Sequence, residues 1–380
     1  MSSYLDYCLA NRDWLLDFIE ALVAIESPSD DAAAVNRCAG ELSSWLQAIG
    51  GSVTRVRSAT AGDHVRASFG GGSRQVLLLG HIDTVWPIGQ LATMPIKREG
   101  GRLYGPGVFD MKAGVALGAL ATRAVLERGG LDGCGVTMLW TADEEIGSAT
   151  SRALIEAEAS KSQAVLVLEP SLPGGGLKTS RKGVGQFELV VRGVPAHAGL
   201  EPEKGISAVR ELARQILAID DLQDLPRGVT VTVGLVQGGT RANVVPAEAR
   251  ATIDARAVTR ADAQGIVARL KALAAKPFIE GTRIEVTGGF DRPPLERTPN
   301  VVRLFEMAKQ AAADIGITLT EGSAGGGSDG NFTAALGVPT LDGFGAIGDG
   351  AHALHEHVEI DGLAPRAAVI SGVLSRIARA

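Results

Sequence analysis

Basic runs, cysteine pairs and long apolar stretches are all missing from this chain, and each absence removes a class of function. Lysine plus arginine number 37 against 43 aspartate plus glutamate, a formal net charge of -6. Binding nucleic acid requires a basic footprint to neutralise phosphates, so no nucleic-acid partner is expected. No apolar run approaches the ~20 residues that span a bilayer. The opening MSSYLDYCLANRDWLLDFIE carries charges where a signal peptide has an uninterrupted apolar core. The expectation is a soluble, cytoplasmic protein with no membrane partner. Cys8, Cys38 and Cys134 are odd in number, far apart and never in a CxxC pair. They read as buried thiols, neither a disulfide framework nor a zinc knuckle.

Glycine is in excess, at 49 of 380 residues against a usual ~7%, which points to frequent turns or close backbone approaches to a ligand. Hydrophobic residues at 45% exclude whole-chain disorder, and the length suggests two or three domains. Helical spacing marks residues 11–25, a second helix ending at Gly50, and the Ala-rich stretch 113–128. Between them QVLLLG, GVTMLW and AVLVL are short continuous apolar runs, as in strands buried on both faces of a parallel sheet. Near residue 180 the rhythm changes to alternating strands and amphipathic helices in the order β-α-β-β-α-β, the split βαβ unit. The predicted architecture is α/β: a discontinuous catalytic domain over 1–179 and 290–380, with a largely parallel sheet flanked by helices. A ferredoxin-like βαββαβ domain is inserted at 180–289.

Acids and imidazoles follow the buried strands, where open α/β sheets place their ligand sites. QVLLLG leads into His81 and Asp83, GVTMLW into Asp143-Glu144-Glu145, and AVLVL into Glu169; Asp110 lies in YGPGVFDMKAG and His352 in GDGAHALHEHVEI. Alone, an HxD or an EE pair is ordinary surface chemistry. Together they concentrate negative charge that a cation must balance. Imidazole and carboxylate donors without thiolates suit a pair of zinc ions, bridged by one carboxylate and sharing a water as nucleophile. Such a site also needs a carboxylate off the metal to take the water's proton. Glu144-Glu145 can supply one ligand and one base, and Asp83 can orient His81 from behind. His355 and His357 are alternatives to His352; otherwise they and His64 read as exposed or helix-terminal.

GHIDTVW, YGPGVFDMKAG, TADEEIGS, VLEPS and GAHALHEHVEI, in this order, resemble the co-catalytic di-zinc aminoacylase/carboxypeptidase family over nearly the whole chain. That family includes glutamate carboxypeptidase, acetylornithine deacetylase and succinyl-diaminopimelate desuccinylase, and the glutamate carboxypeptidase type is most similar. The resemblance implies one zinc on His81, Asp110 and Glu169, and a second on Asp110, Glu145 and His352, with Co2+ or Mn2+ as substitutes. It also implies Glu144 as general base, Asp83 as the His-orienting carboxylate, and a cis peptide at Asp110-Met111. In the inserted domain, which resembles a lid and dimerisation domain, PAHAG places His197 as the residue that polarises the scissile carbonyl, often in the partner subunit's site. Asn243 of RANVVP and Arg256 of DARA resemble holders of the substrate carboxylate, and Gly326, Gly327 and Ser328 a loop lining the same pocket. Outside this context Asn243 and Arg256 read as an Asx-turn and a surface ion pair. EPSLPGGGLKTSRKG departs from the glutamate-carboxypeptidase pattern. Its Lys178, Arg181 and Lys182 suit either a cationic pocket or plain solvation.

The expected reaction is hydrolysis of an amide in a small N-acyl amino acid or peptide with a free carboxylate, by a zinc-activated water with Glu144 as base, in a homodimer joined through the lid. Two rivals stand beside it. Gly326 to Gly330 matches the GxSxG of serine hydrolases, with Ser328 as nucleophile and Asp342 or Asp349, then His352 or His355, in the order those enzymes use. A non-catalytic binder of small ligands is the other, though it has no use for an unligated Glu144. A dinucleotide enzyme is set aside because GPGVFD lacks the third glycine.

Overall fold

The three buried runs lie side by side, and their common direction explains where a site can form. The computed structural model describes residues 4–380. In chain order the two main sheets use β1 (Ser52–Val56), β2 (His64–Phe69), β3 (Arg74–His81), β4 (Cys134–Thr141), β5 (Ala164–Val167), β6 (Gly183–Arg192), β7 (Thr230–Gly238), β8 (Glu248–Ala257), β9 (Arg283–Arg292) and β10 (Thr340–Leu341). One sheet has the order β1-β2-β4-β3-β5-β10 and the other β7-β8-β6-β9. In the first, β3 is parallel to β4 and β5, and β10 to β5, while β1 and β2 add an antiparallel edge. The carboxyl ends of β3, β4 and β5 therefore open on one side, which gathers the segments after them.

Two compact units result. The first comprises residues up to Ser180, Arg297–Ala324 and Ser328–Ala380; the second comprises Arg181–Glu296 with Gly325–Gly327. In the first unit, Val76 to Leu79 on β3 and Met138 to Trp140 on β4 are buried. Covering an aliphatic side chain of this kind stabilises by about 1.5–3 kcal/mol. The helix Ala113–Glu127 packs on β3 and on the C-terminal helix Ile360–Arg379. Two glycines permit the close fit behind the site. A Cβ on Gly80 would lie 2.3 Å from Met111 Cε, and one on Gly114 would lie 2.1 Å from the Leu168 carbonyl oxygen. Among the described residues, no helix is long and apolar enough to cross a membrane. All three cysteines are buried and unpaired.

The second unit is the expected βαββαβ layer, entirely antiparallel, with helices Ala208–Asp220 and Arg260–Ala275 packed against it. On β8, Ala249, Ala251, Ile253, Ala255 and Ala257 are buried, so Arg250, Thr252, Asp254 and Arg256 occupy the opposite face. Ser207 caps one helix, and Thr259 with Asp262 forms a capping box on the other. Caps of this kind each contribute about 0.5–2 kcal/mol. The unit extends past the expected limit of 289. β9 continues to Arg292 through a bulge, and Leu295 exchanges backbone hydrogen bonds with Arg181 at 3.0 and 3.1 Å, closing the insertion at its base.

Candidate metal centre

His81 ends β3, Glu144 and Glu145 open a short turn after β4, and Glu169 follows β5. The other two segments come from elsewhere. Asp110 sits in a turn before the Ala113–Glu127 helix, joined to Met111 by a cis peptide bond, as the resemblance implies. His352 sits at φ 61° between the short strands Gly348–Asp349 and His357–Glu359. His357–Glu359 pairs with Arg102–Tyr104, the strand just upstream of Asp110. Small-sheet pairing thus brings the C-terminal histidine toward Asp110.

The result is two groups of potential ligands, His81-Asp110-Glu169 and Asp110-Glu145-His352, whose atoms lie within 4.8 Å of one another inside each group. His81 Nε2 is 3.3 Å from Asp110 Oδ1 and 3.6 Å from Glu169 Oε1; His352 Nε2 is 3.4 Å from Asp110 Oδ2 and 3.3 Å from Glu145 Oε2. Around a metal with ~2.0–2.1 Å bonds, the edge of a ligand tetrahedron is about 3.3–3.4 Å. Three of the four spacings lie at that edge and the fourth, His81 to Glu169, is slightly longer; the two oxygens of Asp110 face one histidine each, which suits a bridging carboxylate. Glu145 Oε1 is buried without a hydrogen-bond partner, a costly state for a carboxylate oxygen unless a cation meets it. The residues fit a metal pair.

Contacts with Asp110 and Glu145 push the His352 imidazole up to about 10. Burial works against charge on His81, yet Asp110 and Asp83 raise it well above the usual histidine value. Burial likewise opposes ionisation of Asp110, but His352 and His81 hold it below the carboxylate range. Metal binding displaces such protons.

Asp83 does more than expected. His81 Nδ1 lies 2.9 Å from the Asp83 backbone carbonyl and 3.5 Å from its carboxylate. The carboxylate accepts from Ser29 Oγ at 2.7 Å and from the backbone N–H groups of Glu144 and Glu145 at 3.2 Å each. The imidazole is thus met first by the Asp83 backbone carbonyl rather than by the carboxylate, which instead holds the Glu144-Glu145 turn. Glu145 enters a ligand group; Glu144 enters neither. Of the three C-terminal histidines only His352 joins a group. His355 is exposed, whereas His357 is buried against Tyr104. His64 is buried too, correcting its reading as exposed. Its Nδ1 accepts from Ala142 N–H, and Nε2 meets Thr150 Oγ1, which donates to Asp143. On β2 it shares a face with the half-buried Arg66 and Ser68, so alternation along the strand gave no sign of its burial.

In the second unit, PAHAG and RANVVP are neighbours: His197 bridges Val244, and Ala198 N–H donates to the Asn243 carbonyl. His197 Nδ1 accepts from Gly199 and Leu200 N–H at 3.1 Å each, so the neutral ring carries its proton on Nε2. Arg256 donates Nε and Nη2 to the two oxygens of Asp254, at 2.9 and 2.8 Å. Arg181 is buried rather than solvated, and its Nη1 donates to the carbonyls of Gly326 and Gly327. Lys178 is buried as well.

Ser328 is a correction, both as a substrate contact and as a nucleophile. It is 0% exposed; its hydroxyl donates to Asp342 Oδ2 at 2.6 Å and its N–H to Asn331 Oδ1. The preceding strand, Glu321–Ala324, pairs only in a separate two-stranded sheet, not in the parallel one that a nucleophile elbow requires. Ser328→Ala should cost about 1–3 kcal/mol of stability through the lost buried hydrogen bonds and leave turnover within a few-fold, as thermal melts and a hydrolysis assay would record. Lost turnover in a folded variant would restore the serine.

Residues 77–376 match the model of peptidase family M20/M25/M40. The chain belongs to that family. It is 30% identical over 357 residues to carboxypeptidase G2 of Pseudomonas sp. (strain RS-16), covering 92% of this chain and 85% of the relative. It is 30% identical over 329 residues to succinyl-diaminopimelate desuccinylase of Cereibacter sphaeroides (strain ATCC 17025 / ATH 2.4.3), covering 80% and 83%. The fold is shared with the aminopeptidase PepT of Bacillus cereus ATCC 10987, with a TM-score of 0.83, 24% identity, and 97% and 99% coverage. As a family member the chain is a metal-dependent hydrolase, which removes the serine-hydrolase and pure-binder alternatives.

Proposed function

We propose that this hydrolase cleaves the amide bond of small N-acyl amino acids or peptides bearing a free carboxylate, in the manner of a carboxypeptidase or aminoacylase. The observation that carries the reading is the pair of ligand groups sharing Asp110, with Glu144 beside them and in neither. The N and O donor set supports two Zn2+, with Co2+ or Mn2+ as substitutes. Bound there, a metal pair supplies Lewis acidity and lowers the pKa of water toward ~7. Glu144 takes the proton of the attacking water and returns it to the leaving nitrogen. His197, with its proton on Nε2, donates to the developing oxyanion. Asn243 and Arg256 hold the substrate carboxylate, for which a planar guanidinium is suited; Arg256 would exchange Asp254 for substrate.

We read the second unit as lid and dimerisation domain. β7 is a sheet edge, and Leu235 and Val236 on it are 64% and 56% exposed, an apolar edge that favours pairing with a second copy. Three unpaired thiols support a reducing, cytoplasmic setting.

The test is amino-acid release from a panel of N-acyl amino acids and dipeptides, in metal-loaded, chelator-stripped and zinc-restored protein. Activity should vanish on stripping and return with zinc, and the best substrate identifies the leaving group. Activity indifferent to verified stripping would overturn the reading.

A further inference from the structure

Glu356 lies four residues after His352, is 0% exposed, and has no counterpart among the ligand groups. Its carboxylate is saturated with donors from elsewhere in the chain. Oε1 accepts from the N–H groups of Phe109 and Asp110, at 2.9 and 3.0 Å. Oε2 accepts from Gly107 N–H at 2.9 Å and Trp86 Nε1 at 2.8 Å. Each oxygen therefore meets two donors, a pattern only an acceptor-only group satisfies. The tie joins three segments. Trp86 lies three residues beyond Asp83; Gly107, Phe109 and Asp110 form the turn presenting the bridging acid; Glu356 itself closes the turn holding His352. That last turn is tight. Ala353 N–H donates to Gly350 O and Glu356 N–H to Ala353 O, at 2.8 and 2.9 Å, and a Cβ on Gly350 would lie 2.9 Å from Glu356 Cα.

We infer that Glu356 is the positioning residue of the Asp110-Glu145-His352 group. This rests on the metal reading above and deepens it. The separation of His352 Nε2 from Asp110 Oδ2 is set by two turns far apart in sequence, and the Glu356 carboxylate joins them through the Asp110 amide itself. His81 and Glu169 need no such tie, because adjacent parallel strands already fix them. Glu356 therefore bears mainly on the ion of the Asp110-Glu145-His352 group, whose two turns it joins, and less on the other, which shares Asp110 but takes His81 and Glu169 from the sheet.

The experiment titrates metal-free full-length protein with Zn2+ against a chromophoric chelator, and with Co2+ by its visible spectrum. Wild type should take up two ions; fewer would sink the metal reading itself. Glu356→Gln keeps the shape but turns an amide NH2 toward two N–H donors. It should weaken one ion at least tenfold and the other by no more than about threefold, with turnover recovering at high metal concentration. Trp86→Phe removes one donor of the four and should weaken the same ion two- to fivefold; this variant decides the matter if Glu356→Gln does not fold. Folded variants that bind both ions as wild type does, or that weaken both equally, overturn the inference while leaving the metal reading intact.

Discussion

Glu144→Gln should leave two metal ions bound and lower turnover by about 10²–10⁴-fold, the usual contribution of a positioned base. The substitution preserves size, and the backbone N–H of residue 144 still donates to Asp83 Oδ1. Glu144 belongs to neither ligand group, so its amide analogue removes no ligand. What it removes is proton affinity, since an amide cannot take a proton from water or return one to a leaving nitrogen. Metal analysis by mass spectrometry alongside a steady-state assay separates the possibilities. A fall in metal content would make Glu144 a ligand, and wild-type turnover with full metal would move the base elsewhere.

Asp110→Asn should be more damaging. Asp110 offers Oδ1 to the His81 side and Oδ2 to the His352 side. Asparagine has one oxygen, and its NH2 cannot bind a cation, so one group drops to two protein ligands. The histidines also lose the carboxylate that lies between them. Metal content should fall to one ion or none and turnover by at least about 10³-fold, since the loss removes several kcal/mol of charge stabilisation. Two ions and near-normal turnover in this variant would mean that Asp110 does not bridge.

How far these residues could be identified beforehand depended on the kind of force that places them. Continuous apolar runs revealed the buried parallel strands, because a strand covered on both faces leaves little room for polar positions. The acids and imidazoles beyond those runs followed as site candidates, since the carboxyl ends of such strands converge. Alternation on β8 likewise revealed a sheet covered on one side. Buried polar groups were harder. His64 read as exposed, and Lys178 and Arg181 stayed open between a pocket and solvent, because burial of a polar group depends on partners that sequence distance conceals: Thr150 for His64, the carbonyls of Gly326 and Gly327 for Arg181. Ser328 misled for the same reason, since GxSxG specifies a local turn and says nothing of Asp342, to which the hydroxyl is bound.

By itself, then, the sequence determined the two sheets, the inserted βαββαβ unit and the identities of the candidate ligands, because hydrophobic period and motif order are local properties. The family resemblance already named His352 and Glu145 as ligands; only the tertiary structure supplied the geometry that gathers them around Asp110. The same holds for the Asp83 carboxylate serving the Glu144-Glu145 amides, and for Glu356 tying the His352 turn to Asp110. Each of those choices is made by hydrogen bonds and strand pairings between distant segments, and distances of about 3 Å exist only once the chain has folded.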